Sequence, residues 1–312
     1  MNVLIPLTIT EAMLRSGTSI AEPAAGEVVW TSGGTYTVGQ YRIRTQTHRV
    51  YKCVQDHSAR TVPPEDDPAY WQDWDPTQRH APFDPYTSTA TQTTGSITLV
   101  LQPGFFNAIS LYGMLGTSLS VVVKDSPGGT IIYSQTTDLY EQARGLYELL
   151  FSPLRQLTKL ALRGIEISPT AELTVTIDSG SGDPVELGML NIGDFAPLIG
   201  ETEFRQAQFG GTEYGAAAQP KTYSYIKFDA DGTVEIKRRG SATDLRGSCV
   251  IPQEQADSAV ALIQSVLDKP VSCIATTAQG YDYLNVFGLL SGDATAEGPT
   301  HARFDYQVQG MI

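Results

Sequence analysis

The sequence predicts a mainly β protein: a small β module, an antiparallel β-sandwich and a barrel-like unit that carries one α-helix. Three observations predict it. Short runs rich in Val, Ile, Thr and Tyr recur roughly 8–14 residues apart, the spacing of antiparallel strands joined by turns. Gly (29) and Pro (18) are frequent and fall between those runs, where turns need them. Only one stretch, 253–268, keeps a helical period over several turns.

The elements follow in chain order. Residues 1–28 read as an N-terminal arm: "NVLIPLTI" is strand-like, and "EPAAGE" at 22–27 is a Pro/Gly break. Residues 29–82 form a compact unit of short strands, "VVW", "TYTVGQYRIR" and "HRVYKCVQ". A Pro- and Asp-rich tail then carries Trp71 and Trp74. So few residues bury little surface, so this unit must rest on aromatic packing or on its neighbours. Residues 83–200 hold seven candidate strands, at 96–103, 108–114, 118–125, 129–136, 157–168, 171–179 and 185–193. In "ELTVTID" the apolar Leu173, Val175 and Ile177 alternate with Thr174 and Thr176, which places one face in a core.

Residues 201–312 change character. Asp231-Gly232 stands between two strand-like runs in "YSYIKFDADGTVEIKRRG", a hairpin signature. A helix follows: Pro252 suits its first turn, Glu254 and Asp257 sit near its positive end, and Lys269-Pro270 stops it. Ala256, Ala259, Val260, Ile263, Val266 and Leu267 mark its apolar face. Strands at "VSCIATT", "YDYLNVFGLLSG" and "ARFDYQVQGMI" complete an α+β barrel-like order.

Composition narrows the function. The chain has 21 basic and 34 acidic residues, a net charge of −13, which argues against sequence-specific nucleic-acid binding and against adhesion to anionic membrane. No apolar stretch approaches the roughly 18 residues that span a bilayer, so no membrane insertion is expected. The opening "MNVLIPLTITEAML" lacks a basic region and carries Pro6, so it does not read as a signal peptide. Cys53, Cys249 and Cys273 are few, odd in number and far apart, which suits a reducing cytoplasm.

No pattern calls for catalysis. His48, His57, His80 and His301 fall in no zinc-binding spacing, so no metal ligand set is expected. Asp56-His57-Ser58 holds triad residue types, but neighbouring residues point in different directions; a polar loop between strands is the expected role. "EDD" at 65–67 reads as a solvated loop between Pro64 and Pro68. Nothing singles out a carboxylate pair, a phosphate-binding loop or a nucleophile elbow, so neither enzyme activity nor a cofactor is expected.

Three resemblances add to this reading. Trp30, "YTVGQYRIRTQTHRVYKC", Pro63-Pro64 and Trp71 make residues 30–71 resemble a small carbohydrate-binding module of the chitin-binding type. In that resemblance Trp30, Tyr41, Tyr51 and Trp71 pack the core. The adjacent aromatic pair that forms the family's sugar platform is replaced here by Val54-Gln55-Asp56-His57. Tyr70 and Trp74 are then the candidate carbohydrate-binding rings. Residues 83–200 resemble a galactose-binding-like jelly roll in strand spacing.

The whole chain is similar to tail or baseplate proteins of long, flexible-tailed bacteriophages. There "MNVLIPLTIT", "GTYTVGQYRI…HRVYKCVQDHS", "LQPGFFNAISLYG" and "DADGTVEIKRRGSATDLRG" occur in one polypeptide. The last stretch, with the helix, resembles the tail-tube-like β-barrel domain of distal tail proteins. The resemblance implies a structural virion protein at the tail tip, present in the host cytoplasm during assembly. It implies self-association in a ring at the end of the tail tube, a hexamer or a trimer, with other baseplate and hub proteins as neighbours and host-surface glycan as a further partner. The N-terminal strand and "FDYQVQGMI" are candidate donors of strand edges to such a ring, or else ordinary strands within one subunit. Lys227, Lys237, Arg238 and Arg239 either meet a neighbour's acidic face or line a solvated turn.

Overall fold

The computed structural model describes residues 1–86, 88–140, 145–151, 155–198, 211–228, 233–237, 240–276 and 281–311. The chain is mainly β, as its sequence predicts. The N-terminal third holds β1 (Asn2–Pro6), β2 (Thr35–Tyr36), β3 (Tyr41–Arg44), β4 (Arg49–Cys53), β5 (His57–Ser58) and β6 (Trp71–Pro76). The middle holds β7 (Thr91–Thr94), β8 (Ser96–Leu101), β9 (Ala108–Leu115), β10 (Ser118–Lys124), β11 (Ile131–Asp138), α1 (Leu146–Phe151), β12 (Lys159–Arg163), β13 (Glu172–Asp178) and β14 (Pro184–Pro197). The C-terminal part holds β15 (Gly211–Thr212), β16 (Ala217–Thr222), β17 (Tyr225–Phe228), β18 (Val234–Lys237), β19 (Ser241–Pro252), α2 (Gln253–Gln264), β20 (Pro270–Ile274), β21 (Asn285–Ala296) and β22 (His301–Gly310).

A strand occupies each of the seven runs expected between 96 and 193. Four of them form the sheet β11-β10-β13-β8, and its register explains its core. Ile97, Ile177 and Leu119 are partners across β8, β13 and β10; so are Leu99, Val175 and Val121, and then Leu101, Leu173 and Val123. All nine are almost fully buried, because residues directly opposite share a face and apolar residues alternate in all three strands. Ile109 and Leu111 of β9 and Leu187, Leu190 and Ile192 of β14 close the core from the facing sheet. Each such side chain contributes about 1.5–3 kcal/mol on burial.

That facing sheet runs on through the molecule. Its order is β12-β9-β14-β1-β20-β21-β22-β19-β15, with β16 also on β19 and β7 on β14. The N-terminal strand is the zipper: Val3 of β1 faces Ala196 of β14 on one side and Cys273 of β20 on the other. At Gly193 the backbones meet so closely that a Cβ there would lie 1.8 Å from the Ile5 carbonyl oxygen. Residues after β1 then run along β8, with Arg15 and Ser19 N–H groups donating to the Val100 and Thr98 carbonyls. At the other end, β22 is held between β21 and β19. Of the two expected roles for these termini, strands within one subunit is the one seen, since both long edges of β1 and of β22 are occupied by the same chain.

The C-terminal core packs Ala259, Ile263 and Val266 against Leu245, Cys249, Ile251, Val271 and Phe304. Helix α2 is shorter than the expected 253–268, and Pro252 is its N-cap rather than its first helical residue. The end is local: the Ser265 hydroxyl donates to Leu262 O, and the Val266 N–H reaches back only three residues to Ile263 O. Leu267 therefore falls beyond the helix and is exposed, while Val260 is half-buried. Strands β17 and β18 pair as the hairpin pattern requires; Asp231-Gly232, Arg238 and Arg239 lie outside the described residues. Helix α1 was not foreseen, because six residues are too short to display a period.

Candidate functional site

The small module is built around aromatic rings. Strands β3, β4 and β6 form one antiparallel sheet, and β2 pairs with β5. Trp30, Tyr36, Tyr51, Cys53 and Trp71 are buried together. Tyr36 stands edge-on to Trp71, with centroids 5.0 Å apart, and its hydroxyl donates to Thr31 O while accepting from Thr31 N–H. Burial pushes the Tyr51 hydroxyl and the Cys53 thiol above their ordinary pKa values, so Cys53 is a poor nucleophile.

Tyr41 is not in that core, contrary to the expectation. It faces Lys52 across β3–β4, and Lys52 faces Gln72 across β4–β6, so all three project from one face of the sheet. Tyr51, Cys53 and Trp71 point to the other face. Trp74 is the extra residue at a bulge, since Val50 pairs with Asp75 and Tyr51 with Asp73. Tyr41 and Trp74 are 43% and 45% exposed, which for rings of this size leaves much of each in solvent. Their centroids are 5.7 Å apart at 65°, and the Lys52 ammonium lies 4.5 Å from the Trp74 ring and 5.8 Å from the Tyr41 ring.

This arrangement is an open notch with two aromatic walls, an ammonium beside them and the exposed Gln72 amide close in register. The chemistry suits a sugar ring. Its C–H face packs on an aromatic wall, while its hydroxyls meet the ammonium and the amide.

The two rings singled out from the sequence are not neighbours in one cluster. Trp74 stands with Tyr41 and Lys52. Tyr70 is half-buried elsewhere, with the Arg60 guanidinium 3.8 Å from its ring centre and His57 edge-on at 5.1 Å. Arg60 and His57 both pack on Tyr70, which is less exposed than Trp74. The exposure of Tyr41 was missed because "YTVGQYRIR" does not reveal which tyrosine points inward. The strand alternation relative to Ile43 and Tyr51 becomes readable only once the register is known.

The polar groups of the same stretch have structural partners. Asp56 accepts the Val38 N–H at 2.6 Å, and His57 Nδ1 lies 2.9 Å from Gln55 O. His57 also packs edge-on against Trp71, so Asp56 and His57 do not form a relay. The "EDD" segment is not simply a solvated loop. Glu65 takes a forked pair of hydrogen bonds from Arg44, and the buried Asp67 takes another from Arg60. Burial raises the Glu65 carboxyl most, but the Arg44 hydrogen bonds, a backbone N–H and the Arg44 charge together outweigh it and hold the group below its ordinary value.

A second grouping joins residues remote in sequence. Glu11 lies in the short turn Glu11–Met13, Glu22 in the loop before the module, His48 in the β3–β4 turn and His80 just after β6. One potential ligand atom from each lies within 4.8 Å of the others.

A scan of known protein families finds no match to this chain, and no curated protein matches it. Among the solved structures that show a faint likeness, two illustrate it. One is chitosan-binding module 1 of a chitosanase/glucanase from Paenibacillus sp. IK-5, at 10% identity and a TM-score of 0.24, covering 36% of this chain and 82% of that one. The other is an F5/8 type C domain of a Bacteroides fragilis protein, at 10% identity and 0.26, covering 38% and 81%. Scores this low carry no argument about fold or function.

Proposed function

We propose that this chain is a non-enzymatic adhesion and assembly protein that offers the Tyr41–Lys52–Trp74 notch to a surface glycan. The observation that carries the reading is the pair of exposed rings with a lysine ammonium against them, on a sheet whose opposite face buries Tyr51, Cys53 and Trp71. Exposed aromatic rings are costly to leave in water, and a sugar ring recovers that cost through stacking. A single notch binds weakly; repetition of the chain in a ring raises the effective affinity. The test is a glycan array probed with the intact chain, followed by titration of any hit. Loss of binding in both Trp74→Ala and Tyr41→Ala supports the notch. Binding unchanged in both variants overturns it.

The carrier role is the phage tail-tip component that the sequence resemblance suggests. In that reading the chain self-associates as a hexameric or trimeric ring at the end of the tail tube, beside other baseplate and hub proteins. It is a virion protein, found in host cytoplasm only during assembly. One feature supports an assembly role: Leu146, Tyr147, Leu150 and Phe151 of α1 are all exposed, a cluster of apolar side chains that association would cover. Native mass measurement of the intact chain tests it, with a ring mass expected and a shift toward monomer in Leu150→Asp plus Phe151→Asp. A monomer at high concentration, absent from purified particles, overturns it.

A further inference from the structure

The arm and the small module meet at a group of side chains that the notch does not use. The His48 and His80 rings are stacked, with centroids 3.9 Å apart and planes 26° from parallel. His48 Nδ1 lies 2.8 Å from Glu22 Oε2. His80 Nδ1 lies 4.0 Å from Glu22 Oε1, and His80 Nε2 lies 3.3 Å from Glu11 Oε2. That Nε2 is buried and, despite the nearby carboxylate, makes no well-aligned hydrogen bond. Two imidazoles and two carboxylates therefore converge, with an unsatisfied nitrogen among them.

The surroundings are organised as well. The Thr77 hydroxyl donates to Glu22 Oε1 at 2.7 Å, and Arg79 grips both Glu11 oxygens at 3.0 and 3.2 Å. Such outer contacts orient ligands in metal sites. The Glu22 and His80 side chains are 9% and 11% exposed, whereas Glu11, at 44%, faces solvent. His48 holds a left-handed backbone, φ 56°, which costs a non-glycine residue energy.

We propose that Glu11, Glu22, His48 and His80 bind a divalent transition-metal ion, with zinc the best match to two imidazoles and two carboxylates. Donor atoms around tetrahedral zinc stand roughly 3.4 Å apart, so closing this cluster takes about 1 Å of side-chain movement. The bland alternative is a stacked histidine pair that only hydrogen-bonds the arm to the module. It accounts for the His48–Glu22 contact but leaves the buried His80 Nε2 without a hydrogen bond. A bound ion would link Glu11 and Glu22 of the arm to His48 and His80 of the module, and so fix the module on the rest of the chain.

The experiment uses the full chain without an affinity tag, stripped with chelator. Zinc titrated by calorimetry should bind at one equivalent, and cobalt(II) should give the visible absorption bands of a four-coordinate ion. Zinc should also raise the melting temperature, an effect that chelator reverses. His48→Ala and His80→Ala should each lose the cobalt bands and bind zinc at least ~10-fold more weakly. Glu22→Gln, which keeps the side chain's shape, gives the same readout should an alanine variant fold poorly. His301→Ala should leave binding unchanged. No zinc binding at millimolar concentration, or binding that survives both histidine replacements, overturns the proposal.

Discussion

The sandwich and the small module solve the same problem with different materials. The sandwich buries rows of Ile, Leu and Val across β8, β13 and β10, and its interior needs no charged partner. The module has too few residues for that. It buries Trp30, Tyr36, Tyr51, Cys53 and Trp71 and rims them with guanidinium groups: Arg42 over Tyr36, Arg44 over Trp30 and Arg60 over Tyr70. Arg44 and Arg60 also hold Glu65 and Asp67. The lesson is that rings serve as structure where their faces are covered and become available for binding where they are open. In the module both kinds occur within a few residues, at Trp71 and Trp74.

The comparison breaks most sharply in the cores. Trp71→Ala should cost about 3–5 kcal/mol and Leu99→Ala about 2–5 kcal/mol. The pattern of the loss should differ. Hydrogen exchange should accelerate within 29–82 for Trp71→Ala and throughout the sandwich for Leu99→Ala. Uniform acceleration in both would mean that module and sandwich unfold as one unit.

The junction comes next. Gly193→Ala sets a methyl against the Ile5 carbonyl, and relieving it must spread β1 from β14. Overpacking of this kind costs about 1–3 kcal/mol, and the denaturant midpoint should fall accordingly. A midpoint unchanged from the parent would show that β1 is not tightly zipped.

The exposed ring separates structure from binding. Trp74→Ala should change stability by no more than ~0.5 kcal/mol, as expected of a surface position. Sugar affinity should fall about 30-fold, the loss of a ~2 kcal/mol contact. A large stability loss instead would make Trp74 a structural ring like Trp71.

The smallest effect is electrostatic. Glu65 has a folded pKa below its unfolded value, so its pairing with Arg44 stabilises the module fully above the unfolded value and loses that contribution as pH falls through the folded one. Parent and Glu65→Gln should therefore differ by about 0.2–1 kcal/mol at neutral pH and converge below about pH 4. A gap that stays constant into acid would assign the effect to shape rather than charge.

The sequence by itself determined what depends on neighbours along the chain. Alternation set the inward faces of Leu173, Val175 and Ile177, and the helical period placed Ala256, Ala259 and Ile263 inward. The Pro and Gly breaks separated the strands. Even the burial of Trp30 and Trp71 in one cluster was legible from their place in the module pattern.

Tertiary structure decided what depends on partners far apart in the chain. Tyr41 faces outward because it falls opposite Lys52, not because of its own neighbours. Glu65 and Asp67 became ion-pair partners because the loop folds back on Arg44 and Arg60. His48 and His80 show no ligand spacing, yet the turns that follow β3 and β6 stack their rings. The N-terminal strand could have reached another subunit and instead joins β14 to β20. Periodicity is a local property that a few residues can display, whereas register and long-range pairing are settled by the free energy of the whole fold.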